Sequence, residues 1–549
     1  MNSSNDTPKS WLRAIELTTF GSFLLSLMLG LLVPIYTDEV GWRMQLRAGI
    51  DGGLDRMLSD ICGPNTTIAP PLFILALRHV TGWFNLALAD PLFVRLTGVA
   101  CAIAWAFMLR ALIRRIAADR MQGSMLNALA FGLAGLGTLP FLMVLSRPEQ
   151  PMLLTTTLAL LIAAGAWRGA QGSRRNAWLS AAGIVLLGML AASWHMKGIL
   201  FLPLFLVCLF WSSRGKGTLV PRLGGMLLLS ALCARTAFYW VERFTCLGDP
   251  LFAKRLSEQN IVSALAAPGH IADKLALALT GANPNQYVLL AALKRDPMSG
   301  WLPIDQISFG GAQIQGVGMV LAWNLAMLIA LLCLARVAWA RWRERRLDFA
   351  VAVPVVAMGT VLVWGMSQFH KNDYEATTAL PALLLFIVFP LAAIGWTPKR
   401  SGQLGKAVLG LTAISLASQV AVAMIFVPPL LNIAQSPGYI DKQRFSISAY
   451  GYGKLRPQIL ETARLCQIDV KGRAMHPLVD DLTYFAMAGS WQPFHRLGVL
   501  EEWNGTIRDP VAYLHAKGSQ GMIVGCRNLK SPWREQATRN GEFCCISTR

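Results

Sequence analysis

The chain has 549 residues, 54% of them hydrophobic and 15% charged, with a net charge of +20 and a mean hydropathy of +0.46. That composition excludes an ordinary soluble globular protein. The excess positive charge does not indicate nucleic-acid binding either, because the basic residues sit in short clusters between apolar runs and form no stripe on a soluble fold.

Apolar runs long enough for a hydrocarbon core of about 30 Å predict eleven spans, near 12–36, 92–112, 124–145, 151–167, 177–194, 198–211, 219–240, 316–338, 349–366, 377–396 and 405–427. The first follows the polar, uncharged start Met1-Asn2-Ser3-Ser4. It is too long for a signal h-region and has no small-residue cleavage site, so it reads as a retained anchor. It ends at Tyr36 and meets two adjacent carboxylates, Asp38 and Glu39. A carboxylate that close to lipid loses part of its hydration. An acid there has a task such as holding a cation or taking a proton, unless the pair is only a solvated helix end.

The connection 37–91 is long and patterned. Trp42, Leu46, Ile50, Leu54 and Leu58 recur at helical spacing, predicting an amphipathic helix on the membrane surface. Asp51, Asp55 and Asp60 form its wet face, and Arg43, Arg47 and Arg56 suit lipid headgroups. Pro70-Pro71 breaks the chain before a second interfacial helix, Leu72 to Val80.

Every second connection is basic. Arg110, Arg114, Arg115 and Arg120 follow the second span, and Arg168, Arg174 and Arg175 the fourth. Arg214, Lys216 and Arg222 separate the sixth from the seventh. Arg341, Arg343, Arg345 and Arg346 follow the eighth, and Lys399, Arg400 and Lys406 the tenth. The positive-inside rule puts these connections and the N-terminus in the cytoplasm. The expected location is therefore a bacterial inner membrane, with 37–91, 146–150, the 194–198 corner, 241–315, 367–376 and everything after 428 facing the periplasm. The loop 241–315 mixes short helical pieces with Gly and Pro and is long enough to be a lid; Asp249, His270 and Asp305 are its polar candidates.

Two domains follow: a helical membrane domain, 1–428, and a small periplasmic α/β domain, 429–549, where hydropathy drops after Pro428-Pro429. In the tail, helical patterns at Gln458 to Cys466 and Pro510 to Lys517 alternate with strand-like runs at Gly521 to Cys526 and Phe543 to Ile546. His476, Asp480, Asp481 and His495 are metal-ligand types without a supporting spacing. Of ten cysteines, Cys101, Cys208, Cys233 and Cys333 lie in spans as small apolar groups. Cys62, Cys246, Cys466, Cys526, Cys544 and Cys545 lie outside, which fits an oxidising compartment. Cys526 and Cys544 are the best-placed disulfide pair. Cys545 points to the opposite strand face, so one of the two adjacent cysteines is expected to stay free.

The outward landmarks come in a recognisable order. After Asp38-Glu39 stand Ala69-Pro70-Pro71-Leu72-Phe73, Pro91-Leu92-Phe93-Val94-Arg95-Leu96, Ser146-Arg147-Pro148-Glu149, His195-Met196-Lys197-Gly198, Phe369-His370-Lys371-Asn372-Asp373-Tyr374 and Leu380-Pro381-Ala382-Leu383. Over roughly residues 10–400 this order resembles the class C glycosyltransferases that use a polyprenyl-phosphate sugar, in particular the protein O-mannosyltransferase and lipid A aminoarabinose transferase group. The resemblance implies that Asp38 of the acidic pair activates the acceptor and that Lys197 lies near the donor phosphate. It matches the family's Arg-Pro-Asp-like corner to Arg147-Pro148-Glu149, with Glu in place of Asp. Nothing after residue 430 matches.

The chemistry asks for the same residue types. The donor phosphate becomes the leaving group when C1 of the sugar is attacked, so cations must meet it in a low-dielectric site. Lys197, Arg147, His370 and Lys371 are the outward candidates for that task. A fixed carboxylate must take the acceptor's proton. Asp38 is the candidate base, with Glu39 orienting it or sharing a divalent cation with it. Glu149, Tyr374, Arg43 and His195 are candidates to hold substrate. A single displacement with inversion is expected, since no close nucleophile–acid carboxylate pair is evident. Structural alternatives stand beside each: Arg147 as a snorkelling anchor, Lys197 as a belt residue, His370-Lys371 as a solvated turn. A glycan transporter or flippase, or a non-catalytic lipid-binding homologue, is the rival reading. A transporter favours repeats and charges near the bilayer midplane, and neither is evident here.

Overall fold

In a computed structural model, the residues described are 10–32, 39–40, 90–117, 123–136, 139–145, 147, 149–168, 173–194, 196–213, 218–244, 268–282, 309–345, 347–366, 376–393, 410, 413, 424, 452–470, 477–480, 482–487, 495–496, 509–516, 519–526, 529, 531 and 533–548. They form a helical bundle followed by a small mixed sheet. The bundle contains α1 (Ser10–Gly30), α2 (Pro91–Ala117), α3 (Gly123–Ala134), α4 (Leu139–Val144), α5 (Glu149–Arg168), α6 (Arg174–Trp194), a 3₁₀ turn (Met196–Phe201), α7 (Leu202–Phe210), α8 (Leu219–Phe244), α9 (Pro268–Gly281), α10 (Phe309–Arg343), α11 (Phe349–Met366) and α12 (Ala376–Ala393). Among the described residues, α1, α2, α5, α6, α8, α10 and α11 supply seven segments long and apolar enough to cross a membrane.

The expected eleven spans are met only in part. Three of them are shorter apolar helices: Gly123–Ala134, Lys197–Phe210 and Ala379–Ala393. The third predicted span, 124–145, is broken into α3 and α4, with Gly135 closing one piece and Pro140 at the second position of the next. Glycine and proline interrupt a helix there, whatever the hydropathy of the run. The predicted span 405–427 lies outside the described residues apart from 410, 413 and 424, as do the amphipathic helices of 41–80. Within 241–315, α9 is described; it packs so closely on α11 that a Cβ on Gly365 would stand 2.7 Å from the Ala278 Cα.

Two side-chain-to-backbone bonds fix the direction of the helices. Arg115 donates to the Leu161 carbonyl at 2.5 Å and Arg168 to that of Ile116, so α2 and α5 end side by side. The core helix is α12, in which every residue from Ala379 to Ala392 is buried. A helix apolar all round belongs at the centre of a bundle, and its internal Pro381 and Pro390 are held by packing on α2, α5, α10 and α11.

The tail forms α13 (Tyr452–Leu465), β1 (Leu478–Val479), α14 (Tyr484–Met487), β2 (His495–Arg496), α15 (Pro510–Ala516), β3 (Gly521–Gly525), α16 (Trp533–Gln536), β4 (Thr538–Asn540) and β5 (Phe543–Ser547). The sheet order is β2-β1-β3-β5-β4, with β1 parallel to β2 and β3, and β5 antiparallel to β3 and β4. Both faces of the sheet are covered. Ile523, Phe543 and Cys545 share a cluster with α13, while Met522, Val524, Cys544 and Ile546 share one with Leu514 and Trp533 on the other side. This is the two-residue period of a strand at work.

The same period explains the cysteines. Cys544 bonds Cys526 as expected, but Cys545 does not stay free: it bonds Cys466 at the end of α13, on the opposite face. Adjacent strand residues point apart, and each of these two finds a partner on its own side. Closing separations of 79 and 18 residues removes chain entropy worth about 4.5 and about 3 kcal/mol from the unfolded state. Cys101, Cys208, Cys233 and Cys333 are free thiols within the bundle.

Candidate functional site

Asp90 and Pro91 start α2. The Asp90 carboxylate accepts the Leu92 N–H at 2.8 Å, and proline at the first helical position has no N–H to leave unpaired. This start sets Arg95 one turn inside an apolar helix, where it is only 1% exposed. Its guanidinium donates from Nε to Glu39 Oε1 at 3.1 Å and from Nη2 to Oε2 at 2.7 Å, and Nη1 reaches the Gly30 carbonyl at 3.3 Å. Glu39 is 4% exposed. The first acid after α1 that the structure describes is therefore held in a buried, two-pronged ion pair.

A second cluster forms where α4 gives way to α5. Arg147 donates from Nε and Nη2 to the two oxygens of Glu149 at 3.1 and 2.8 Å. The Gln150 side chain ties the turn together by accepting the Arg147 backbone N–H at 2.9 Å and donating to the Met143 carbonyl at 3.2 Å. Glu149 lies in the first turn of α5, where the helix dipole favours a negative charge. Lys197 comes in from the 3₁₀ turn after α6, its Nζ 3.6 Å from Glu149 Oε1. Gly198 makes that corner possible: a Cβ there would stand 2.0 Å from the Ala191 carbonyl oxygen.

The two clusters share a neighbour, the end of α4. A Cβ on Gly98, one turn after Arg95, would lie 2.2 Å from the Val144 carbonyl oxygen; one on Gly30 would lie 2.9 Å from the Val144 side chain. Three residues beyond Val144 stands Arg147. Glycines thus let α1 and α2 close on α4 and bring both clusters to one end of the bundle. That end is opposite the one where Arg115 and Arg168 bind carbonyls.

The C-terminal lobe covers this end. Val40, beside Glu39, and Val94, beside Arg95, belong to the same apolar cluster as Tyr452, Leu455, Ile459 and Phe485. Tyr452 donates to the Leu482 carbonyl and accepts the Ala486 N–H, each at 2.8 Å, and burial pushes its phenol well above the ordinary range. Asp480 is committed to the lobe itself: its Oδ1 accepts Leu482 N–H, Thr483 N–H and the Thr483 hydroxyl, and its Oδ2 accepts Gly525 N–H at 2.7 Å.

Of the residues singled out from the sequence, Arg147, Glu149 and Lys197 come together and Glu39 lies beside the same wedge. Asp38, Arg43, His195, His370, Lys371, Tyr374, His476 and Asp481 lie outside the described residues, and the side chains of His270 and His495 are not among those described. Glu39 does not fit a divalent cation in this arrangement, because both carboxylate oxygens accept from Arg95 and a cation would have to displace a guanidinium. Among the described residues no group of three or more His, Cys, Asp or Glu side chains converges. The partner that the sequence did not assign is Arg95. Its signal was present, as an arginine within an apolar run, which is a mark of function or pairing inside a membrane. No protein-family model matches the chain, and no curated protein aligns with it at a significant level.

Proposed function

We propose that the chain is a membrane glycosyltransferase that moves a sugar from a polyprenyl-phosphate donor to an acceptor at the outer face of a bacterial inner membrane. The observation that carries this reading is the convergence of Arg147 and Lys197 on Glu149, next to the buried Glu39–Arg95 pair. Buried charge is expensive, and ionisable groups gathered at a helix-end site away from water are a mark of function. In this reading the sugar acceptor is a periplasmic lipid, polysaccharide or protein.

The exposures divide the work. The Arg147 and Glu149 side chains are 6% and 1% exposed, and that of Lys197 is 19% exposed. Lys197 is the cation a phosphate would reach, and the Arg147–Glu149 pair fixes its place. The acceptor oxygen attacks C1, the C1–O bond to phosphate breaks, polyprenyl phosphate leaves with the bonding electrons toward Lys197, and the hydroxyl proton passes to Asp38. Glu39, the next residue in the chain, is clamped by Arg95. The disulfide-bonded lobe packs on Val40 and Val94 at that end, and shielding from water strengthens charge interactions.

Asp38→Asn should lower transfer about 10²- to 10⁴-fold, the usual contribution of a general base, with donor binding unchanged. Transfer in proteoliposomes, read by mass spectrometry of glycolipids, polysaccharides and secreted proteins, measures it; equal turnover removes Asp38 from the mechanism. Lys197→Ala should raise the donor KM more than the acceptor KM, and an unchanged donor dependence would count against its phosphate role. Translocation of a labelled polyprenyl lipid without any new glycosidic bond would favour the flippase instead.

A further inference from the structure

At the other end of the bundle, α7, α8, α10 and α11 line an open cavity of about 1300 Å³. Small-ligand pockets run to about 300–1,000 Å³, so this one suits something larger. Its walls are apolar, including Val207, Trp211, Met226 and Val355. Beside it α10, 35 residues long, packs mainly on α12 and only lightly on α11.

The rim is basic. Three guanidinium groups and one carboxylate line it: Arg341, Arg343, Arg345 and Asp348. Arg341 is taken, bound to Asp348 at 2.6 Å and to Glu344 at 2.8 Å. Arg343 lies 5.1 Å over the Trp339 ring. Arg345 stands just past the helix end at φ 50°. Arg343 and Arg345 are exposed, and no carboxylate partners either of them among the described residues. Beside them Trp342 and Leu347 are 79% and 78% exposed. Tryptophan and arginine at one level of an apolar bundle mark the boundary between hydrocarbon and headgroups. An apolar chamber below that boundary, with surplus positive charge at it, is complementary to an amphiphile with an anionic head.

We infer that this cavity seats an anionic phospholipid, its acyl chains between α7, α10 and α11 and its phosphate against Arg343 and Arg345. A basic helix end that only fixes orientation needs no apolar chamber beneath it. A free anion would gain nothing from the walls. The proposed donor site is at the opposite end, so a polyprenyl phosphate is not the expected occupant, and the inference stands or falls independently of the proposed transfer reaction.

The full-length protein in detergent is titrated with phosphatidylglycerol and phosphatidylcholine and read by native mass spectrometry. Each basic group near an anionic headgroup contributes roughly five-fold, so Arg343→Gln/Arg345→Gln should lower the preference for phosphatidylglycerol about 25-fold. Arg174→Gln/Arg175→Gln, exposed arginines at the same end but not in the cavity wall, should leave it unchanged. Val355→Trp, which fills the chamber from an exposed position, should weaken both lipids. The inference is overturned if the wild-type protein shows no preference, if the Arg343/Arg345 variant keeps it, or if the control pair loses as much. It is equally overturned if polyprenyl phosphate displaces phosphatidylglycerol at equal concentration.

Discussion

The two ends of the bundle use arginine in different ways. At one end Arg115, Arg168 and Arg222 reach backbone carbonyls of neighbouring helices, and Arg168 also lies 4.1 Å over the Trp167 ring. These side chains are part-exposed, and each could leave its partner and find water. At the other end Arg95 and Arg147 are buried and grip carboxylates with two bonds each, under a lobe that shares its core with Val40 and Val94. A part-exposed arginine that gives up a carbonyl can be solvated instead, whereas a buried charge is costly once its partner is lost. The first arrangement orients and anchors helices; the second holds charge in place out of water, as an active site requires.

The sharpest way to break this contrast is to remove one member of a buried pair. Glu39→Ala or Arg95→Ala should cost about 3–5 kcal/mol by leaving a lone buried charge, whereas Glu39→Leu/Arg95→Met together should recover most of it. Thermal unfolding in detergent decides between them; a double variant no better than the single ones would mean that the pair is not the cause. Next in size, Gly198→Ala drives a Cβ into the Ala191 carbonyl, and overpacking of that kind costs about 1–3 kcal/mol. Because it displaces the turn carrying Lys197, the proposed donor KM should rise with it, and a change in stability alone would separate the corner from the site. The smallest effect belongs to the other end. Arg168→Ala should cost about 1–2 kcal/mol, since its charged hydrogen bond and ring contact are part-exposed, and leave sugar transfer unaltered; a loss comparable to Glu39→Ala would erase the distinction.

Much of this was legible before any coordinates. The Arg147-Pro148-Glu149 and Lys197-Gly198 corners stood out by their place in the order of landmarks between apolar runs, and both corners fall at the same end of the bundle. The tail's helices and strands followed from local periodicity, and Cys526–Cys544 from two short strands. The pairing of Glu39 with Arg95 did not, because the two are separated by 56 residues and nothing local selects one acid for one arginine. Cys466–Cys545 was missed for a similar reason: strand alternation shows which way Cys545 points, not what waits there.

By itself the sequence determined hydropathy, the spacing of basic clusters and the residue types at the helix ends. These are local quantities, set by the transfer of side chains between water and lipid. Only the tertiary structure decided that α4 would wedge between α1 and α2, that Glu149 would draw Arg147 and Lys197 together, and that a disulfide-bonded lobe would seat on Val40 and Val94. Those outcomes depend on which surfaces fit at the 2–3 Å scale where glycines permit contact, and that fit is a property of whole helices packed against one another, not of any stretch of chain read alone.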